Sequence, residues 1–319
     1  MAGLIETMAL AGGMVGVWVW AAVAVMLPAL ATRRPALVRG AASARLWLYA
    51  PLWVPALMLG AALLPGIVGS VTGHGDHCLE HVTHHHLCLI HPPHVAHTWS
   101  LWGLALLPWL GASVMVGRHL GALKGALAST RTLVGVSRAL GDDSKVRVVE
   151  TGEAVAFSVG LLRPVVVVSR GLVEALSEAE LRVVLAHERA HCARRDTLWA
   201  LADQCVAWLL PARARQVLLD AIELGREQAC DARAANEEGR VQVAATLLKV
   251  ARLKLATPAV GLSLGASSLE LRVERLLAQN EPARQTHPVG VWLAVLVIMG
   301  LGAGPFHGLM ERVIALALH

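Results

Sequence analysis

Two histidines one helical turn apart, with a glutamate directly after the first, are the residues of this sequence best suited to chemistry. His187, Glu188 and His191 form the pattern HERAH. On a helix both imidazoles project from one face and can reach one metal ion, while Glu188 is offset and can take a proton from water. The pattern is typical of zinc-dependent hydrolysis. Two solvated histidines on an ordinary amphipathic helix are the alternative.

A catalytic zinc ion needs a third protein ligand and a fourth position that stays open. The next acidic stretch, ELGREQACDARAA, places Glu223, Glu227 and Asp231 four residues apart on one face of a predicted helix. Spacing alone does not decide which of these three acids is a ligand. Cys230, three residues after Glu227, could also bind a metal, but a small buried side chain is the interpretation that we favour.

The segments around the motif predict a domain that is mainly helical with a small sheet. β-Branched runs typical of strands occur at 146–150, 155–159 and 164–169. Ser177 and Glu180 form a capping-box pattern that opens the helix of the motif. Pro211 marks a break, and further helices are predicted over 214–237, 241–256 and 268–279. The segment 155–160 is the candidate edge for binding a substrate strand, and packing in the core explains its residues equally well.

The composition favours an integral membrane protein. Of the 319 residues 55% are hydrophobic and 16% are charged, and the mean hydropathy is +0.56. A soluble domain rarely has so apolar a composition. A transmembrane helix needs about 20 apolar residues, and four stretches meet this requirement: 7–31, 46–70, 98–117 and 288–306. The shorter run 197–210 contains Asp203 and is predicted to be a buried or interfacial helix.

The arginines predict the orientation of these spans. Residues 33–45 contain four arginines and no acid, whereas 71–97 contain no lysine or arginine. Basic loops stay in the cytoplasm, so both termini and the 71–97 loop are predicted outside. The predicted organisation begins with a three-helix transmembrane region over 1–117 and a cytoplasmic zinc metallopeptidase domain over 118–287. A fourth transmembrane helix over 288–306 and a short external tail over 307–319 follow. The basic residues thus report orientation, and direct nucleic-acid binding is not predicted.

The predicted external loop is rich in metal ligands. Nine of the fifteen histidines and two cysteines lie in it, a ligand set that suits copper or zinc. A Cys78–Cys88 disulfide and a flexible polar connector are the alternatives. The candidate ligands of this loop are His74, His77, Cys78, His81, His84, His85, His86, Cys88, His91, His94 and His97.

Residues 154–237 resemble the BlaR/MecR-type integral-membrane zinc metallopeptidases, an antirepressor family. The resemblance rests on AFSVGLLRPVVVVSRGLVEALSEAELRVVLAHERAHCARRD and on EQACDARAA. HtpX-like and CAAX-prenyl proteases are more distantly similar. The resemblance implies a gluzincin-like HExxH fold in a bacterial cytoplasmic membrane. It also implies one catalytic zinc ion with Glu188 as base, the ligands His187, His191 and Glu227, and the supporting carboxylates Asp196 and Asp231. Arg275 matches an arginine of the family, and the sequence does not indicate its role.

The same resemblance implies that the protein cleaves a cytoplasmic protein, expected to be a transcriptional repressor, in response to an external signal. The antirepressors carry a penicillin-binding sensor domain after the fourth span. We do not expect that domain here, because only residues 307–319 follow. An HtpX-like quality-control protease, a metal transporter and a non-catalytic metal-sensing receptor are the alternatives. The expected partners are the protein substrate and the lipid bilayer, and a homo-oligomer is left open.

Overall fold

The computed structural model describes residues 19–27, 33, 40–72, 99–140, 143–255 and 265–278. Residues 19–27 are helical. The other helices are α1 Ala41–Thr72, α2 Trp99–Val136, α3 Arg170–Ala175, α4 Glu178–Arg194, α5 Asp196–Ala207, α6 Ala212–Glu238, α7 Arg240–Leu255 and α8 Gly265–Leu277. The strands are β1 Arg138–Leu140, β2 Asp143–Val149, β3 Ala156–Val159 and β4 Val165–Ser169.

The four strands form one sheet in the order β1-β2-β4-β3. β2 and β4 are parallel, while β1 and β3 pair antiparallel with their neighbours, so β3 lies at one edge. Four valines of β2 and β4 are buried and pack against Leu185 and Cys192 of α4, namely Val146, Val148, Val166 and Val168. The small sheet predicted from the β-branched runs is confirmed. Strand β1 was not predicted, because Arg138–Leu140 contains no β-branched residue.

Helix α4 begins at the predicted capping box and carries the HERAH motif. The Ser177 hydroxyl accepts from the Glu180 backbone N–H at 3.4 Å, and the Glu180 carboxylate accepts from the Ser177 N–H at 2.8 Å. Each side chain thereby satisfies an N–H that lacks a partner within the helix. α4 ends at Arg195, whose φ of 53° is left-handed. α5 begins at the next residue, so the chain reverses immediately after the motif.

Helix α6 lies against α4 and carries the acidic stretch. It begins after Pro211 and ends at Gly239, which has a φ of 89°. Glycine is favoured there because it adopts a positive φ without a Cβ clash. Val183 and Ala186 of α4 form a buried cluster with residues of α6, α7 and α8, namely Ala234, Val243, Ala244 and Leu276. This cluster holds the motif helix and the acidic helix together.

Helix α1 packs on α5 and α6. Ala44 and Leu48 are fully buried against Leu218 and Ile222 of α6, in a cluster that also contains Val206 of α5. Residues 19–27 join the same cluster, and the Trp20 indole N–H donates to the Leu209 carbonyl at 2.6 Å. Apolar residues in the first half of α1, such as Ala44 and Leu48, therefore form part of the protein core.

The prediction of four transmembrane helices is contradicted by the structure. Over the described ranges no helix combines the length and the apolarity that crossing a membrane requires. High apolar content does not distinguish residues that face lipid from residues that face a protein core, and Leu48 belongs to the core. Of the other predicted spans, 288–306 and most of 7–31 lie outside the described residues, as does the tail 307–319. The mainly helical fold with a small sheet is confirmed.

Candidate metal centre

The two motif histidines present their Nε2 atoms to one another. His187 and His191 lie one turn apart on α4, and their Nε2 atoms are 3.1 Å apart. The ring planes are inclined by 75°. Both side chains are nearly buried, with 12% and 13% of their surface exposed. This is the arrangement that the four-residue spacing predicts, and it excludes two solvated histidines on an exposed helix face.

Glu227 of α6 completes a triangle of donor atoms with the histidines. Its Oε2 lies 3.4 Å from His187 Nε2, and its Oε1 lies 3.3 Å from His191 Nε2. Tetrahedral ligands about 2.0–2.1 Å from a zinc ion are separated by about 3.3 Å. The three donors therefore match a tetrahedral zinc site in spacing. Glu223, the other acid left open by the spacing, is exposed and outside this group.

Two further carboxylates face the opposite nitrogens of the imidazoles. Asp196 Oδ2 lies 2.9 Å from His191 Nδ1, and Asp231 Oδ1 lies 3.0 Å from His187 Nδ1. The first contact is a hydrogen bond, whereas the second has ion-pair distance without hydrogen-bond alignment. Each carboxylate favours a proton on Nδ1, which leaves the lone pair of Nε2 directed at Glu227. Three lone-pair donors then converge, which is favourable only around a cation.

Arg272 of α8 holds the two acids of α6. Its Nε and NH2 donate to Asp231 at 2.7 and 2.8 Å, and its NH1 lies 2.8 Å from Glu227 Oε2. Arg275, which the resemblance matched to a family arginine, is exposed and donates to Gln228 at 2.7 Å. Arg272 was missed because an arginine on an amphipathic helix carries no signal of its partner 41 residues away.

The charges of the site shift its pKa values in opposite directions. Burial works against ionisation of Asp196, Glu227 and Asp231, but contacts with the histidines and with basic side chains outweigh it, and the pKa of each carboxyl lies below its ordinary value. Burial likewise disfavours the charged form of His191, yet its hydrogen bonds raise the pKa of this imidazole to about 12. The carboxylates of the site therefore favour a positive charge at this position, which a proton on His191 supplies when no metal ion is bound.

Glu188 differs from the other acids of the site. It is 9% exposed and lies outside the triangle of donor atoms. Burial raises its pKa, and the Glu227 carboxylate adds to the rise, although the histidines oppose it. A carboxylate with a raised pKa next to a water site is suited to accepting and returning a proton.

The described cysteines are free thiols: Cys192, Cys205 and Cys230. Cys230 is fully buried, and its Sγ lies 3.7 Å from Asp196 Oδ2, so it forms a second cluster with His191 and Asp196. Burial raises the pKa of the Cys230 thiol, which disfavours the thiolate that a metal requires. Packing therefore accounts for Cys230. The histidine-rich loop 74–97 lies outside the described residues.

Comparison with known proteins supports the family resemblance. Residues 146–276, from β2 to α8, match the family model described as BlaR1 peptidase M56. No curated protein and no solved structure shows significant similarity to the chain. This part of the chain is therefore similar to the peptidase domain of the BlaR1 type, a family of metallopeptidases. Among the described residues, the matched range contains the three donors of the triangle and the side chains that contact them.

Proposed function

We propose that this chain is a zinc endopeptidase that cleaves protein substrates. The observation that carries the proposal is the convergence of His187 Nε2, His191 Nε2 and Glu227, at 3.1–3.4 Å from one another, beside the buried Glu188. One carboxylate and two imidazoles are the ligand set of many catalytic zinc sites.

The residues divide the work of peptide hydrolysis between them. His187, His191 and Glu227 would hold the ion, with Asp196 supporting His191. When bound, zinc would supply the Lewis acidity that makes water a nucleophile near neutral pH. Glu188 would accept a proton from the attacking water and return it to the leaving nitrogen. Its raised pKa suits both steps, because the group must exist in both protonation states near the working pH.

The edge strand β3 is the proposed docking site for the substrate backbone. β3 pairs with β4 on one side, and no other described strand covers its second side. It also contacts the motif helix α4. Phe157 of β3 is 36% exposed and would contact a substrate side chain. An extended peptide can add to such an edge by main-chain hydrogen bonds, which accounts for recognition of many sequences.

A transcriptional repressor is the substrate that we propose. The proposal rests on the resemblance to the antirepressors and on the peptidase domain at 146–276. An HtpX-like quality-control protease would use the same site on unfolded proteins, and a non-catalytic receptor would use it to bind metal alone. Cleavage of a substrate at one defined position would favour the repressor-cleaving protease.

Glu188→Gln tests the proposal, because it removes the base and keeps the ligands. We expect purified Glu188→Gln to retain one zinc ion per chain and to cleave a labelled unfolded protein such as casein about 10²- to 10⁴-fold more slowly. His187→Ala should lose the metal as well. Glu223→Gln is the matched control, because Glu223 is an exposed acid on α6 one turn from Glu227. Unchanged cleavage by Glu188→Gln would contradict the mechanism, and zinc binding without any cleavage would favour the receptor.

A further inference from the structure

A second buried ion pair lies on the helix that follows the motif. Asp203 of α5 is 1% exposed. Arg45 of α1 donates to it from Nε at 3.1 and 3.2 Å and from NH2 at 2.9 Å. The Tyr49 hydroxyl, one turn further along α1, donates to the same carboxylate at 3.2 Å. The Arg45 guanidinium also lies 5.4 Å from the centre of the Trp199 ring. The Arg45 and Tyr49 side chains thus bind the buried Asp203 carboxylate, and the Trp199 ring packs against Arg45.

α5 connects this ion pair to the metal centre. Its first residue is Asp196, which accepts the hydrogen bond from His191 Nδ1. Only Arg195 separates α5 from α4, and its left-handed backbone makes the connection short. Because a helix moves nearly as a rigid body, fixing Asp203 two turns along α5 also fixes the position of Asp196.

α1 also contacts α6 beside the third donor. A Cβ placed on Gly225 would lie 2.6 Å from the Ala41 backbone nitrogen, a distance that requires the backbone to move. Gly225 precedes Glu227 by two residues on α6. The start of α1 therefore contacts α6 two residues before Glu227. One turn later on α1, Arg45 binds Asp203 of α5. The same helix contacts both elements that bring carboxylates to the histidines.

We propose that Arg45 and Asp203 are positioning residues for the metal centre, and that α1 fixes the distance between Asp196 and His191 through α5. The inference rests on the proposed function in so far as His191 binds zinc. Arg45 lies outside the matched peptidase domain. From the sequence alone, the only role predicted for it is to orient a membrane span.

Arg45→Met tests the inference in the full-length protein. It keeps an unbranched, largely apolar side chain and removes the charge and the fork of donors. We expect zinc affinity, measured by competition with a chromophoric chelator, to fall about tenfold, the smaller of the effects seen when a supporting partner of a ligand is lost. The kcat for casein should fall while KM stays unchanged, because among the described residues the main contacts of α1 are with α5 and α6 and not with the docking strand β3. Arg45→Lys, which keeps the charge, should restore part of both losses.

Arg118→Met is the matched control. Arg118 of α2 stacks on Trp208, just after the end of α5, at 4.6 Å from the ring centre. It touches the same segment of chain, but among the described contacts it has no ion pair with α5. Zinc affinity and kcat should stay at the wild-type values in this variant. Equal effects of Arg45→Met and Arg118→Met would overturn the inference, since any loss of packing around α5 would then suffice.

Hydrogen exchange in metal-free protein separates this inference from the proposed function. In Arg45→Met the amides of residues 196–203 should exchange faster than in the wild type. This holds whether or not the wild type binds zinc. Unchanged exchange there, together with unchanged zinc affinity, overturns the inference even if the wild type is a zinc peptidase. Should Arg45→Met fail to fold, Asp203→Asn gives the second test on the same ion pair, and an Asp203→Asn protein that binds zinc with wild-type affinity likewise overturns it.

Discussion

Replacement of Arg272 by methionine should destabilise the metal-free protein far more than the same change at Arg275. Arg272 makes three charge-assisted contacts with Asp231 and Glu227, at 2.7–2.8 Å. Asp231 is 2% exposed, so the variant leaves a buried carboxylate whose remaining neighbour is His187. Arg275→Met removes one hydrogen bond between exposed side chains. Arginine and methionine have similar helix propensities, so the helix itself is unaffected.

The magnitude follows from the burial of the pair. Removing one partner of a buried ion pair costs about 3–5 kcal/mol. Glu227 is 26% exposed and His187 still faces Asp231, so the lower end, about 3 kcal/mol, applies. At about 2–4 °C per kcal/mol this predicts a fall in Tm of about 6–12 °C. Arg275→Met should change the free energy of unfolding by about 0.5 kcal/mol or less.

Thermal and urea unfolding in the presence of a chelator measure this difference, because bound zinc would add its own stabilisation. The pKa of Asp231 lies below its ordinary value, mainly because Arg272 outweighs the effect of burial. Its ion pair therefore stabilises the fold fully above the unfolded pKa of about 4 and is lost as pH falls through the lower folded pKa. The gap between Arg272→Met and wild type should narrow at acidic pH. Equal shifts for both variants, or a gap independent of pH, would refute the reasoning.

Two further changes have defined outcomes. Asp196→Ala removes the acceptor of the His191 Nδ1 hydrogen bond, so zinc affinity in a chelator competition should fall about 10- to 100-fold, whereas Glu223→Ala should leave it unchanged. A hydrogen bond from Lys249 lowers the pKa of Glu180 to about 2, with the Ser177 N–H adding to it. Wild type should therefore be more stable than Glu180→Gln at neutral pH, with the advantage fading as pH falls from about 4.5 towards 2; a Tm difference that stays constant from pH 7 to 3 would argue against this contribution.

The local features of the centre follow from the sequence because each depends on neighbours within a few residues. The four-residue spacing places His187 and His191 on one face of α4, and the same spacing aligns Glu227 with Asp231 on α6. The capping box at Ser177 begins the motif helix as predicted. β-Branched runs likewise predict the strands of the sheet, since their preference for extended backbone is local.

The tertiary structure alone decides which distant residues meet. Arg272 rather than Arg275 reaches Asp231, because that depends on how α8 packs across α6. Arg45 reaches Asp203 across 158 positions of sequence. Such partners leave no pattern in a single sequence, since an arginine has the same local preferences whether it faces solvent or a buried carboxylate.

Apolar content leaves a similar ambiguity. The residues that line α1 would suit lipid or a protein core equally well, and the four predicted spans followed from that composition. In the structure Ala44 and Leu48 pack against α6, so the environment of these residues is set by the helix they meet. The sequence therefore determined the chemistry of the site and the local elements that carry it. Packing between elements far apart in the chain determined how that chemistry is supported.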